Sequence, residues 1–478
     1  MELFIIIIIK NIARRLISTE YMVKPDARRG EIPTTKAAYW ATLVIALPAV
    51  AEMVSLALMG MIDMVMVGRL GYGSVAAVGL TGQPTMLFFS IFFALNTAVT
   101  AIIARNKGAG DMDSARSCLR HALVLEIFVG LLMTAAAVFL ARPMMIFAGA
   151  EPEILEEATS YFRIISFALL IRIMTGTICA AQRACGNTKI TLKVNVVAKI
   201  ISVVLNFFLI EGRFGFPAMG VDGAAWSTVI ASVVAFALVL HSITRKDSVL
   251  RISVKDNWRF EGLMMRSIGR LFSGATVEQV GFRFGFFAYA IVVARLGTAD
   301  FAAHMIAMQL MVLSFTFADG IGIASTALVG QNLGKKRPDL SMIYGKIGLR
   351  LAFVVAIILS VTIILTRYQF PLLFTAHYET EIIGTAANLI LILAAIMPIQ
   401  TTQIVMGGSL RGAGDTKFVA LTMVLSVGLL RPVLGFLFTF PFGWGIIGAW
   451  VAIIFDQAAR LIMLFTRFAR GRWAAVKI

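Results

Sequence analysis

The chain has 478 residues, of which 59% are hydrophobic and 14% charged, with mean hydropathy +0.87. Soluble domains carry about 25% charged residues, so a soluble fold is excluded and the chain reads as a polytopic membrane protein. Its net charge of +17 would suit nucleic acid, but the placement of the basic residues argues for membrane orientation and contact with anionic lipid instead.

The opening MELFIIIIIK has seven apolar residues in a row, no basic residue before them and no small-residue cleavage site. That makes it a poor signal peptide; it reads as an interfacial anchor, with a free tail as the alternative. A membrane helix needs about 20 mostly apolar residues. Twelve such spans are expected, near 38–66, 76–104, 118–141, 158–183, 191–212, 221–244, 267–294, 302–330, 343–366, 382–408, 416–440 and 446–468. No stretch shows the ten-residue alternation of a membrane barrel. The expected class is therefore all-α.

Basic residues precede the first span (Lys10, Arg14, Arg15, Lys24, Arg28, Arg29, Lys36) and follow the second, sixth and eighth, with seven between Arg245 and Arg270. The opposite loops hold mostly single ones: Arg69, Arg142, Arg213, Arg295 and Arg367. Basic residues concentrate on the cytoplasmic side, so both termini are expected there, in the plasma membrane. Cys118, Cys179 and Cys185 are odd in number, lack a CxxC spacing and read as buried thiols.

A shift of 226 places Arg69-Leu70-Gly71 on Arg295-Leu296-Gly297, and Asn106 and Gly108 on Asn332 and Gly334. RACGNTK (183–189) then matches RGAGDTK (411–417), and GVDGAAW (220–226) matches GIIGAWV (445–451), at nearly the same offset. The chain is thus two six-helix bundles. The expected organisation is a cytoplasmic segment 1–37, an N-lobe 38–244, a cytoplasmic linker 245–266, a C-lobe 267–468 and a tail 469–478. Six is even, so the halves are expected to be related by a pseudo-two-fold along the membrane normal, with a cavity between them that favours alternating access. One chain holds both halves, so a monomer is expected. No filter-like loop suggests a channel. The nearest approach to a phosphate loop, Gly330 to Lys335, has three residues between its glycines where four are needed, so transport must be gradient-driven. No nucleophile, base and orienting group can be assembled, so enzymatic chemistry has no support.

Acids inside spans are costly and usually serve a pathway or a pair. Glu52 and Glu278 match across the repeat, each seventeen residues before its RLG turn; helix bonding and a place in the cation or substrate path are both open for them. Asp63 maps onto Tyr289, so only one half has it. Loss of hydration favours the neutral form of an acid, which makes an embedded carboxylate a candidate proton carrier. Asp63 could equally hold a sodium ion, or be tied down by an arginine or backbone donors. Ser202 and Asn206 share a helix face at i, i+4, and Thr228 follows on the sixth span. Lys193 and Lys199 are expected to snorkel outward. Asp456 and Arg460 read as a self-contained pair, and Arg431 is expected to meet an acid such as Glu278. His121, His241, His304 and His377 have no metal-binding spacing, and His304 reads as a packing group.

The residues then carry a family likeness. IDMVMVGRLG, ARNKGAGD, QRACGNTK, GFPAMGVDGAAWSTVIA, ARLGTADFAAH, GGSLRGAGDTK and GIIGAWVAIIFDQAARLIMLFTRFARGRW resemble the MATE (multidrug and toxic compound extrusion) transporters, in order, over about residues 38 to 473. The resemblance implies export of organic, often cationic compounds in exchange for protons or sodium, with no cofactor. It also implies a coupling site at Asp63 with Ser202, Asn206 and Thr228. The sequence departs from the family pattern at Asn206, where some members have a second aspartate. It departs again at Gln400, where sodium-driven members of another branch have one, and this shifts the coupling role to Asp63. A flippase for a lipid or lipid-linked oligosaccharide is the alternative, and it calls for a more cationic cavity than the few intramembrane basic residues supply.

Overall fold

A computed structural model describes residues 17–253, 255–373 and 380–476. The MELFIIIIIK segment and His377 lie outside the described residues. Among the described residues every regular element is helical. The first half runs α1 (Thr35–Gly68), α2 (Tyr72–Ala109), α3 (Met112–Phe139), α4 (Ala141–Phe147), α5 (Pro152–Phe167), α6 (Leu169–Ala184), α7 (Thr188–Leu209) and α8 (Gly220–Thr244). The second runs α9 (Gly262–Ala294), α10 (Thr298–Gly334), α11 (Pro338–Leu365), α12 (Thr380–Gly412), α13 (Thr416–Met423), α14 (Arg431–Thr439) and α15 (Gly445–Ala469).

Eleven described helices are long and apolar enough to cross a membrane, and twelve spans result when α5 and α6 are taken as one. That span differs from the single straight helix expected at 158–183, because α5 and α6 bend by 50° at Ala168, whose ψ of −1° departs from the helical value. The helix also begins earlier, at Pro152, with Glu153 in its first turn. A proline at the first position and an acid near the N-terminal dipole both favour that start. In the eleventh span a π-helical stretch, Val424–Leu430, joins α13 to α14. Pro432 has no N–H to bond four residues back, and the Arg431 amide reaches Ser426 O instead.

Packing divides the chain into two compact units, one of Met1–Val50, Ala104–Gly110 and Val280–Ile478, the other of Ala51–Ile103 and Asp111–Gln279. The boundaries fall inside α1, two residues after Pro48, inside α2 after Ile103, between Gly110 and Asp111, and inside α9.

In the first of these units the repeat appears as a reciprocal contact. A Cβ at Gly108 would collide with the Gln331 carbonyl, and one at Gly334 with the Arg105 carbonyl. Positions 105 and 331 match under the same 226-residue shift that pairs the glycines, so each helix end lays its glycine on the other's backbone. The turn that follows each glycine is also shared. Gly110 has φ +80°, and Lys336, its counterpart, has φ +59°, a conformation that L side chains rarely hold. Gly281 and Gly285 of α9 receive the π-helical stretch in the same manner, against Val424 and Val427. The core continues through Leu310, Ile390, Met397, Trp450 and Ile453. Replacing Gly334 with leucine is expected to cost about 1–3 kcal/mol from overpacking and to lower the folded fraction on size-exclusion chromatography. Gly384→Leu, with nothing within 4 Å of its Cβ position, is expected to leave that fraction unchanged.

The second unit centres on Phe92, Met145, Phe162 and Ile173. The part of the linker described is tied to the first half of α3 and to the end of α8. Arg120 pairs with Asp256 at 3.3 Å, His121 Nε2 accepts from the Glu261 amide at 2.7 Å, and the Ile252 amide donates to Ile243 O at 2.9 Å. His121 is thus a linker anchor.

Candidate functional site

Asp63 is the acid of an otherwise apolar stretch of α1, and α7 supplies its partners. Lys199 Nζ lies 3.0 Å from Asp63 Oδ2, and Asn206 Nδ2 donates to Oδ1 at 2.8 Å. The two donors are seven residues apart, two helical turns, and so share a face. The Ser227 hydroxyl donates to Asn206 Oδ1, which holds the amide with its nitrogen toward the acid. Thr228 completes the wall, its own hydroxyl donating to Ala224 O at 3.1 Å. The cavity so formed measures about 200 Å³ and is lined by Gly60, Asp63, Met64, Tyr161, Asn206 and Thr228, among others.

Of the residues expected from the sequence, Asp63, Asn206 and Thr228 come together here. Ser202 is buried on α7, with a hydroxyl that has no partner, and is not among the residues lining the cavity. Lys199 does not snorkel outward as expected. Its long stem lets the ammonium reach an acid whose carboxylate would otherwise lack a counter-charge. At the end of α7, Glu211 accepts from Arg213 and faces Arg69 at 3.5 Å, joining the RLG turn to the helix end. The hydrogen bonds from Arg213 lead in holding the Glu211 carboxyl below its usual range.

Glu52, 1% exposed, is saturated with donors. Arg183 Nη1 at 2.9 Å and Asn195 Nδ2 at 2.7 Å reach its Oε1, while Thr191 Oγ1 reaches Oε2 at 2.5 Å. Arg183 lies within QRACGNTK, before its turn, and Thr191 lies just after it, so this acid fixes the α6–α7 corner. Glu278 is buried on α9. Gln400, fully buried on α12, donates to Ser314 Oγ at 2.7 Å and ties α12 to α10.

Two expected pairings change. Arg431 meets Asp456, through Nε at 2.9 Å and Nη2 at 2.5 Å. Arg460 also binds Asp456, at 3.0 Å, so that acid serves two arginines and is not one half of a self-contained pair. Arg431 follows the π-helical stretch, its guanidinium reaches Asp456 of α15, and it lies 4.6 Å from the ring centre of Phe286 on α9. His304 accepts from Trp450 Nε1 at 3.2 Å, which is the packing role expected of it. Two acids went unnoticed in the sequence, Asp319 of α10 and Glu126 of α3. Glu126, in HALVLEIFVG, carried the same signal as Asp63: one acid in an apolar run.

The helical fold, its internal repeat and an embedded acid with an adjoining cavity define a polytopic membrane carrier. The family model described as MatE matches residues 48–208 and 275–437, and the chain belongs to that family, the MATE transporters. A probable multidrug resistance protein NorM of Thermotoga maritima is 27% identical over 438 residues, covering 90% of this chain and 92% of its own. The multidrug resistance protein PmpM of Pseudomonas aeruginosa is 27% identical over 445 residues, covering 90% and 91%. A solved MOP-superfamily transporter from Pyrococcus furiosus aligns with TM-score 0.85 at 20% identity, covering 96% of this chain and 99% of its own.

Proposed function

We propose that this protein exports organic, mostly cationic compounds in exchange for protons by alternating access, and that Asp63 carries the coupling proton. The observation that carries this reading is the Asp63 cavity, where one acid inside a span faces a space of about 200 Å³ and has one cationic partner at 3.0 Å. The multidrug names of the relatives support the substrate class. We place the two lobes at 38–244 and 267–468 about a central cavity, with both termini cytoplasmic in the plasma membrane and one chain as the working unit.

The choice of proton over sodium rests on Lys199. Its ammonium occupies the position beside Oδ2 where a sodium ion would bind, and an acid already neutralised by a tethered cation has little attraction for a metal ion. Protonation of Asp63 releases Lys199, and deprotonation recaptures it. The pair thereby converts proton occupancy into a movement of one charge on α7. A lipid-flipping role would favour an excess of positive charge at the cavity. Here one lysine matches one acid.

The test is efflux of ethidium from proteoliposomes with proton and sodium gradients imposed separately. Native protein is expected to follow the proton gradient alone. In Lys199→Ala the carboxylate loses its tethered cation, and a sodium gradient is expected to begin driving efflux. Sodium-driven efflux by the native protein would overturn the proton assignment.

A further inference from the structure

We propose that Asn96, Glu126 and Thr177 form a second proton-binding site, separate from Asp63, whose ligand is a single proton held on Glu126. All three lie in the unit that contains Asp63, on α2, α3 and α6. Glu126 sits midway along α3 and is fully buried, as is Thr177.

The geometry counts the hydrogens. Thr177 Oγ1 is within hydrogen-bonding distance of Glu126 Oε1 and lies 2.5 Å from Asn96 Oδ1. Both neighbours are acceptors when the acid is ionised, and a hydroxyl has one hydrogen to give. A proton on the carboxyl completes the chain, with Glu126 donating to Thr177 and Thr177 donating to Asn96. Turning the Asn96 amide would free the hydroxyl for an ionised Glu126. It would also leave a bare negative charge inside an apolar helix, where Oε2 has no hydrogen-bond partner, which is costly in a membrane span.

Among the described residues no cation is bonded to Glu126 to offset such a charge. On α6, Arg172 lies over the Phe89 ring and Arg183 is bonded to Glu52, with Cys179 between them in sequence. On α3 itself, Arg120 holds Asp256 and His121 bonds Ser117 O and the Glu261 amide. The neighbouring α5 offers Tyr161, Arg163, and Glu153, Glu156 and Glu157 near its start, of which Glu156 pairs with Arg142 of α4 and Glu157 accepts from Ser74. Residues 73–103 of α2 contain no charged residue. Glu126 bonds none of these groups among the described residues. A sodium ion in place of the proton would need its oxygen ligands spread around it, whereas these three are closed onto one another.

The repeat shows that the fold does not require an acid here. At the matching shifts, Asn96, Glu126 and Thr177 become Gly322, Ala352 and Val405. Ala352 and Val405 belong to one apolar cluster with Ile321, and Gly322 approaches the Val405 Cα to 4.0 Å from its Cβ position. The three matched positions of the second half carry no polar side chain. The proton comes from bulk water and returns to it, forming and breaking one O–H bond. Above the pH at which it leaves, the Thr177 hydroxyl has one hydrogen for two acceptors, Glu126 Oε1 and Asn96 Oδ1. An unfolded glutamate ionises at about pH 4.3 while Glu126 keeps its proton in the fold, so the stability it contributes is full below that pH and declines as the pH rises until the folded chain releases the proton.

Infrared spectroscopy of the full chain in lipid nanodiscs tests this. A protonated-carboxyl C=O band is expected at neutral pH in the native protein and equally in Asp63→Asn, and it is expected to be absent from Glu126→Gln. Thr177→Val, which removes the oxygen that the acid donates to, is expected to move the band to higher frequency; this variant serves if Glu126→Gln does not fold. The native melting temperature is expected to fall on going to alkaline pH by more than that of Glu126→Gln. A native protein without the band, a band that persists in Glu126→Gln, a band that disappears in Asp63→Asn, or one that Thr177→Val leaves in place would each overturn the proposal.

Discussion

Asp63→Asn is expected to keep the fold and lose proton-driven ethidium efflux down to the passive leak. The single amide oxygen can accept from Asn206 or from Lys199 but not from both, because the other carboxylate oxygen becomes an NH2 donor. The amide cannot take up or release a proton, so Lys199 stays released and loses the event that would recapture it. Side chains at Asp63 and Lys199 are 24% and 29% exposed, and a half-open pair contributes only about 1 kcal/mol. The melting temperature should therefore move little. Adding Lys199→Gln to Asp63→Asn removes the leftover charge and is expected to recover that small loss without recovering transport. Efflux that still follows the proton gradient in Asp63→Asn would remove Asp63 from the coupling mechanism.

The largest effect on stability is expected from Asp456→Ala. This carboxylate is fully buried between Arg431 and Arg460, whose side chains are 1% and 4% exposed. An arginine does not shed its proton in a protein, so removing the acid takes the shared counter-charge from two buried arginines. Breaking a buried pair by deleting one partner costs about 3–5 kcal/mol, and here one acid serves two cations. Asp456→Ala is expected to yield little folded protein by size-exclusion chromatography. Asp415→Ala, which strands only the partly exposed Arg467, should lose far less. Replacing Arg431 and Arg460 by methionine together with Asp456→Ala is expected to restore folding, because an apolar trio needs no counter-charge. If the single variant folds as well as the native chain, the network contributes nothing to stability.

The sequence alone determined that the chain is a helical membrane protein with twelve spans, repeated about an offset of 226. Hydropathy and the RLG and glycine landmarks are local properties, and the helix ends follow from them to within a few residues in most spans. Gly108 and Gly334 were already paired by register, and the structure adds that each rests on the backbone carbonyl at the other's matched position. Asp63 stood out because a charge in an apolar run must be compensated. Which group compensates it was settled only by tertiary structure. Lys199 is 136 residues away and looked like a lysine bound for the surface. Arg431, which follows a π-helical stretch, went to Asp456, and the bend at Ala168 carries no glycine or proline to announce it. Glu126 was legible as a lone acid, but its hydrogen count required Thr177 and Asn96, brought from 51 and 30 positions away. Burial of charge in a bilayer dictates from composition that partners exist; the packing of distant helices decides which they are.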